Sequence, residues 1–461
     1  VKKTKSVSYV AAWNITARFF LQGISFLSAP VFTRLLTTED YGRVAIYSAW
    51  LGILNLFIGL QTHGSIANAS IKYEGEMDSY LSSIMTLSFL SFVFVLCVFV
   101  IFQKYLCQLL DMPCSLMFLL VVHTFFSFVV SFYTVKWIQF RDVEKNTIVS
   151  ILISGGTVIL SIIFILYLNV ESYRAKIYGM AVPQIISGFV FFIILYFKDR
   201  CFYNNIYWKF CLKLTIPLIF HYAGGIILSQ SDKIMLKKIV GSDTAGIYSF
   251  GYTVALVISS IWAAFNSTWI PFYYEYKREN KREDIIIKSN NYLFIFSSIT
   301  IGFILVVPEV YKVLAPSNYW TGIQLMPLIA LAYYFNFLYS FPGNHEFYNE
   351  KTLFISIGTL SAAVINIICN LWLIPLYAGI GAAIATVISY VFLLVFHDFI
   401  ARFFVKNFEY NFGFYIKGML PTMTVVIAYY FTLNFWLIRW LFAVVVGFVL
   451  LRRIIRNKAL F

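Results

Sequence analysis

Apolar runs of about 20 residues, the length a helix needs to cross a bilayer core, recur from one end of this chain to the other. Hydrocarbon offers no water to satisfy backbone N–H and C=O groups, so such runs must be helices or the strands of a closed barrel. Barrel strands read as ten-residue alternating segments, whereas these runs are long and uninterrupted. The expectation is therefore an all-α polytopic membrane protein. Only 12% of the residues are charged and 60% are hydrophobic, against about 25% charged in a soluble domain. Run lengths predict about fourteen transmembrane helices, at about 8–30, 44–67, 82–103, 115–135, 146–168, 176–197, 212–236, 247–270, 289–309, 321–341, 353–374, 379–399, 416–433 and 435–454.

The formal net charge of +14 does not point to nucleic acid, because the basic residues sit in short loops between apolar runs. Cytoplasmic loops retain Lys and Arg. With the N-terminus placed in the cytoplasm, 24 basic residues fall on that side and 10 on the other, with Arg18 inside the first span. Both termini are expected to be cytoplasmic, in a bacterial inner membrane. Lys2, Lys3 and Lys5 precede a first span that is expected to be retained. The six cysteines show no metal or redox spacing. Cys107 and Cys114 flank one short loop, and whether they pair is left open. No loop has room for a nucleotide-binding or catalytic domain, and no Walker loop, Gly-x-Ser-x-Gly, paired carboxylate or metal-ligand cluster appears. The expectation is a non-enzyme with no cofactor and no metal.

One loop is written twice. TRLLTTEDYG (Thr33–Gly42) and KKIVGSDTAG (Lys237–Gly246) lie 204 residues apart and agree in kind at six of ten positions. The first joins spans one and two, the second spans seven and eight. The chain is thus expected to be two six-helix bundles in parallel repeat plus two C-terminal helices, divided at 1–200, 201–410 and 411–461. Parallel repeats of this kind build transporters with a midplane site between the halves. Locally, Thr37 or Thr38 is predicted to cap the second helix, with Asp40 three residues after Thr37.

Ionisable residues inside spans are expensive and mark candidate sites. Asn14, Arg18, Gln22 and Ser25 are spaced 4, 4 and 3, on one face of span one. That polar stripe suits a water-filled lumen, where Arg18 would take phosphate oxygens; the alternative is a structural Arg that snorkels or pairs with another helix. In span seven, His221 and Asp232 fall near one face and Lys233 adjoins Asp232. These read either as ion coupling and phosphate contact or as an interfacial pair. Asn55, Gly59 and His63 are spaced 4 and 4 in span two, and His123 lies inside span four. His221, His123, Asp232 and Glu309 are candidate coupling groups. Asn366 and Asn370 share a face of span eleven and suit helix–helix hydrogen bonding.

Two stretches carry a family likeness. APVFTRLLTTEDYGRVAIYSAW (Ala29–Trp50) resembles the loop after the first span in bacterial polysaccharide biosynthesis proteins. INIICNLWLIPLYAGIGAAIATVISY (Ile365–Tyr390) is similar to the hairpin between spans eleven and twelve of the same proteins. The resemblance is to the lipid-linked oligosaccharide flippases, such as O-antigen flippases, of the multidrug/oligosaccharidyl-lipid/polysaccharide exporter superfamily. It implies two bundles around a cationic cavity. It also implies ion-driven alternating access that moves an undecaprenyl-pyrophosphate-linked glycan from the cytoplasmic to the periplasmic leaflet. The partners it implies are that glycolipid, membrane lipid, and a polysaccharide polymerase and chain-length regulator of a lipopolysaccharide pathway. Relatives place arginines of early spans in the cavity, and Arg18 fits by position. The pyrophosphate and sugar would then meet Arg18, Asn14, Gln22, Ser25, Asn55, His63 and Lys233. Rival readings are a drug or metabolite antiporter of the same superfamily, a membrane-embedded polymerase or glycosyltransferase, and a scaffold for a synthesis complex.

Overall fold

The computed structural model describes the backbone of residues 7–457; the side chains of residues 7–12, 14–19, 221 and 457 lie outside the described residues. Each expected span falls on a helix. They are α1 (Val7–Leu35), α2 (Thr38–Gly59), α3 (Met77–Ile101), α4 (Cys114–Gln139), α5 (Val143–Tyr167), α6 (Ser172–Lys198), α7 (Asn205–Ile239), α8 (Ser242–Arg278), α9 (Arg282–Leu314), α10 (Met326–Tyr348), α11 (352–377), α12 (379–400), α13 (Phe412–Thr432) and α14 (Trp436–Asn457). The hairpin of α11 and α12 turns at Ala378, whose backbone leaves the helical region at φ 48° and ψ −125°. Gly381 makes that turn possible, because any Cβ there would strike the carbonyl of Leu373. Among the described residues there is no strand, and eleven stretches are long and apolar enough to cross a membrane, one of them holding both α11 and α12.

Two compact units divide the chain. One comprises residues up to Leu36 together with Arg43–Gln230; the other comprises Thr37–Gly42 together with Ser231–Phe461. In the first, α5 packs on α6 and α1, and α4 packs on α6. Its core is aromatic and aliphatic, with Phe125, Phe128, Phe132, Met85 and Leu81 buried. Hydroxyl pairs tie its helices, including Thr62 Oγ1 with Ser88 Oγ at 2.8 Å and Tyr80 Oη donating to Ser65 Oγ at 2.7 Å. In apolar surroundings such bonds hold helices that have no hydrophobic drive to associate. In the second unit α10 packs on the α11–α12 hairpin and α9 packs on α13 and α14. Trp269, Tyr292, Phe296, Tyr334 and Phe337 fill the space between α8, α9 and α10.

The duplicated loop finds its reason in the second unit, where both copies meet. Gly42 lies against Ser242, so that a Cβ would strike the Ser242 carbonyl, and Gly246 lies the same way against Thr38. Gly42 and Gly246 are equivalent positions of the repeat, and so are Thr38 and Ser242. The contact is therefore self-complementary, two helix starts crossing at backbone distance where only glycine fits. The Thr38 hydroxyl also donates to the Asp243 carboxylate. The predicted cap is present: the Asp40 N–H donates to Thr37 Oγ1 at 3.0 Å. Tyr41 seals the crossing, its ring edge-on to Phe250 and Tyr319, while Tyr319 Oη donates to the Thr37 carbonyl at 3.1 Å. Gly42→Ala or Gly246→Ala should each lower stability by about 1–3 kcal/mol through overpacking. Gly52→Ala, which meets open space, should not; thermal unfolding in detergent reads both.

Cys107 and Cys114 are joined in a disulfide, on the loop between α3 and α4. Disulfides persist in oxidising compartments, and this loop lies on the side that the charge count assigns away from the cytoplasm. Protein isolated from intact cells with thiols blocked at lysis should show both cysteines refractory to maleimide until reduced. Immediate labelling of both would overturn the pairing.

Candidate functional site

Asp232 is a deeply buried carboxylate of the second unit. It sits on α7, is 1% exposed, and receives three hydrogen bonds of 2.6 Å, from Tyr248 Oη of α8, Asn370 Nδ2 of α11 and Thr386 Oγ1 of α12. Four helices thus converge on one carboxylate. A second layer surrounds it. Asn370 Nδ2 also donates to Asn366 Oδ1 at 2.9 Å, Ser231 Oγ donates to that same oxygen at 2.8 Å, and the Tyr252 hydroxyl lies 3.4 Å from that of Tyr248. Two polar atoms of the cluster, Asn370 Oδ1 and Asn366 Nδ2, are buried without a partner. Unpaired buried polar atoms are rare enough to need a reason. The carboxylate faces two O–H donors and one N–H donor. Among the described residues no group of three or more His, Cys, Asp or Glu is placed to hold a metal ion.

The neighbouring Lys233 is half-buried, with its ammonium 5.7 Å from the centre of the Tyr252 ring. Asn366 and Asn370 do link helices, as their shared face predicts, but they do so through Asp232. The tyrosines and Thr386 were not legible as partners, because nothing in their spacing ties them to α7.

The other candidates divide by position. Asn14, Arg18 and His221 lie on α1 and α7, and their side chains are outside the described residues. Gln22 is half-buried and Ser25 exposed. Asn55 is half-buried on α2, but the face drawn through Asn55, Gly59 and His63 ends at Gly59. Leu60 and Gln61 take positive φ, and His63 falls in a separate 3-10 turn, Thr62–Ser65, its ring 5.6 Å from Phe128 and its Nδ1 buried without a partner. His123 is buried and hydrogen-bonds Tyr47 across α2 and α4, Nδ1 to Oη at 3.1 Å. Glu309 accepts both guanidinium arms of Arg439, which is 1% exposed and also donates to the carbonyls of Leu305 and Thr432. That fork clamps α14 onto α9.

Two further buried clusters escaped sequence reading. His397 of α12 and Glu346 of α10 are fully buried and pair at 2.7 Å. Glu409, in the segment between α12 and α13, takes Lys277 of α8 and a hydrogen bond from Tyr273, whose hydroxyl also lies 3.0 Å from His345 Nδ1. The tenth span was expected to end at 341, which left His345 and Glu346 in a loop. The helix runs on to Tyr348, so both are packed among helices.

The sequence matches the profile of the polysaccharide biosynthesis proteins over residues 10–277. The chain belongs to that family. Among its relatives, a capsular polysaccharide biosynthesis protein of Staphylococcus aureus, CapF, is 26% identical over 87% of this chain and all of that protein. An uncharacterised membrane protein of Haemophilus influenzae is 24% identical over 74% of this chain and 84% of that one. The fold is similar to that of a solved structure of the lipid II flippase MurJ, with a TM-score of 0.76, 15% identity, and 97% of this chain and 99% of that one covered. An inward-facing multidrug resistance MATE transporter superposes with a TM-score of 0.63, 16% identity, and 82% and 94% covered. This polysaccharide biosynthesis protein therefore shares the architecture of flippases and multidrug transporters.

If the Arg439–Glu309 fork is a clamp, its parts are coupled. A double-mutant cycle of Arg439→Met and Glu309→Gln, read by thermal unfolding, should give an interaction of about 1–3 kcal/mol. Additive effects would remove the clamp.

Proposed function

We propose that this protein flips a polyprenyl-pyrophosphate-linked oligosaccharide, an O-antigen unit or a similar repeat, from the cytoplasmic to the periplasmic leaflet. The family match joined to a flippase fold over nearly the whole chain carries the reading. Arg18 holds the pyrophosphate, and Lys233 assists it. Asn14, Gln22, Ser25, Asn55 and His63 line the path of the sugars. The polyprenyl tail stays in lipid. The membrane is the bacterial inner membrane, with both termini cytoplasmic, and no nucleotide is consumed.

The energy comes from an ion gradient, and Asp232 is where the ion binds. A buried carboxylate inside a membrane span is costly and marks a place where a proton or a cation can bind. Its partners come from α8, α11 and α12, so gain or loss of that ion changes what holds those three helices to α7. Among the carboxylates that the sequence singled out, Glu309 is the weaker candidate, because Arg439 already neutralises it.

Complementation tests the proposal in a strain that lacks its own flippase but makes the cognate glycan. The wild type should restore surface polysaccharide. Arg18→Ala and Asp232→Asn should reduce it at least tenfold at equal membrane abundance, and Arg18→Lys and Glu309→Gln should retain most of it. Failure of the wild type with its cognate glycan present would favour the antiporter or polymerase readings. Full activity of Arg18→Ala would keep the flippase and remove its phosphate ligand.

A further inference from the structure

A cavity of about 580 Å³ opens on the second unit between α9, α13 and α14. It is polarised along its length. At one end stand Lys417, near the start of α13, and Arg453, near the end of α14; Leu293, Ile301, Val445 and Val449 line most of the rest, with Ser297 and Ser298, whose hydroxyls donate to the carbonyls of Leu293 and Phe294. No acidic residue lines it. Arg453 is steadied by Asn291 Oδ1 at 2.8 Å and lies 4.1 Å above the Phe294 ring. Neither contact neutralises it. Lys417 is exposed and has no hydrogen-bond or ion-pair partner among the described residues. Val445 and Arg453 are eight residues apart on one helix, so the apolar stretch is about 12 Å deep. That is close to the hydrocarbon depth of a single leaflet, about 15 Å.

We propose that this slot is a binding site for one anionic glycerophospholipid. Its phosphate sits between Lys417 and Arg453, and one acyl chain runs down the slot toward Ile301 and Val445. Basic pockets between transmembrane helices select anionic headgroups in this way. Charge decides the headgroup: two cations with no facing acid disfavour a zwitterion, whose ammonium would meet them. Depth decides the tail. A slot one leaflet deep suits an acyl chain, whereas a polyprenyl tail is several times longer. Both cationic residues lie at the helix ends that the charge count assigns to the cytoplasm, which makes this a lipid of the inner leaflet. The proposal does not rest on the flippase reading, since what is measured is lipid retention rather than transport.

The test uses the purified full chain in detergent, titrated with palmitoyl-oleoyl phosphatidylglycerol or the matching phosphatidylcholine, and read by native mass spectrometry and thermal unfolding. One phosphatidylglycerol per chain should bind in preference to phosphatidylcholine. Lys417→Gln and Arg453→Gln should each weaken it about fivefold, and the double variant about thirtyfold. Arg453→Lys should keep most of the affinity. Val449→Trp, which fills the slot and leaves both charges, should abolish binding while the lipid-free unfolding midpoint stays near that of the wild type. Equal binding of the two lipids, or undiminished phosphatidylglycerol binding by the double variant or by Val449→Trp, would overturn the site. Glycerol phosphate matching phosphatidylglycerol would reduce it to a surface anion contact. Stoichiometric displacement of phosphatidylglycerol by undecaprenyl phosphate, lost in Val449→Trp, would assign the slot to the polyprenyl tail instead.

Discussion

A charge inside a bilayer must find its opposite or its hydrogen bonds within the protein, and this requirement organises the second unit more than any single apolar contact. Asp232 gathers α7, α8, α11 and α12. Glu309 and Arg439 hold α9 to α14. Glu346 and His397 hold α10 to α12, and Lys277 with Glu409 holds the segment before α13 to α8. Lipid tails are as apolar as leucine, so packing alone gives helices little reason to choose one neighbour over another. These polar joints supply the choice. Among the described residues of the first unit, hydroxyl pairs and stacked aromatic rings join the helices.

The joints do not all serve one end. Glu309 and Glu409 are answered by Arg439 and Lys277, and Glu346 is paired with His397. Asp232 accepts hydrogen bonds from three neutral donors, has Lys233 beside it in the chain, and has two amide atoms near it left unpartnered. The ion site proposed at Asp232 rests on that difference rather than on burial.

The helices were legible because membrane spans announce themselves through length and apolarity: each expected run falls on a helix, and twelve of the fourteen helices lie in stretches long and apolar enough to cross a membrane. The Thr37 cap and the repeated loop were legible for the same local reason. What failed were features that depend on where a helix stops. Glu346 and His345 were hidden because an acid and a histidine beside Gly343 and Asn344 look like a loop, and only packing carries the helix on to Tyr348. His63 was placed on a helical face that Leu60 and Gln61 break. Asp232 was visible as a charge, but Tyr248, Thr386 and the two asparagines reach it from 16 to 154 residues away. No periodicity encodes contacts at that range.

The crossing of Gly42 with Gly246 is the kind of contact that two identical chains make about a twofold axis, each giving the other the same residues. Here both partners are covalently one molecule. An association that would otherwise depend on concentration has become intramolecular, with the high effective concentration that a tether confers. Tethering also lets the two copies diverge. In the register that pairs Gly42 with Gly246, Asp232 is matched by Ser28, whose hydroxyl merely bonds back to the Ser25 carbonyl at 3.0 Å. The repeat therefore carries this carboxylate in one copy and a small hydroxyl in the other.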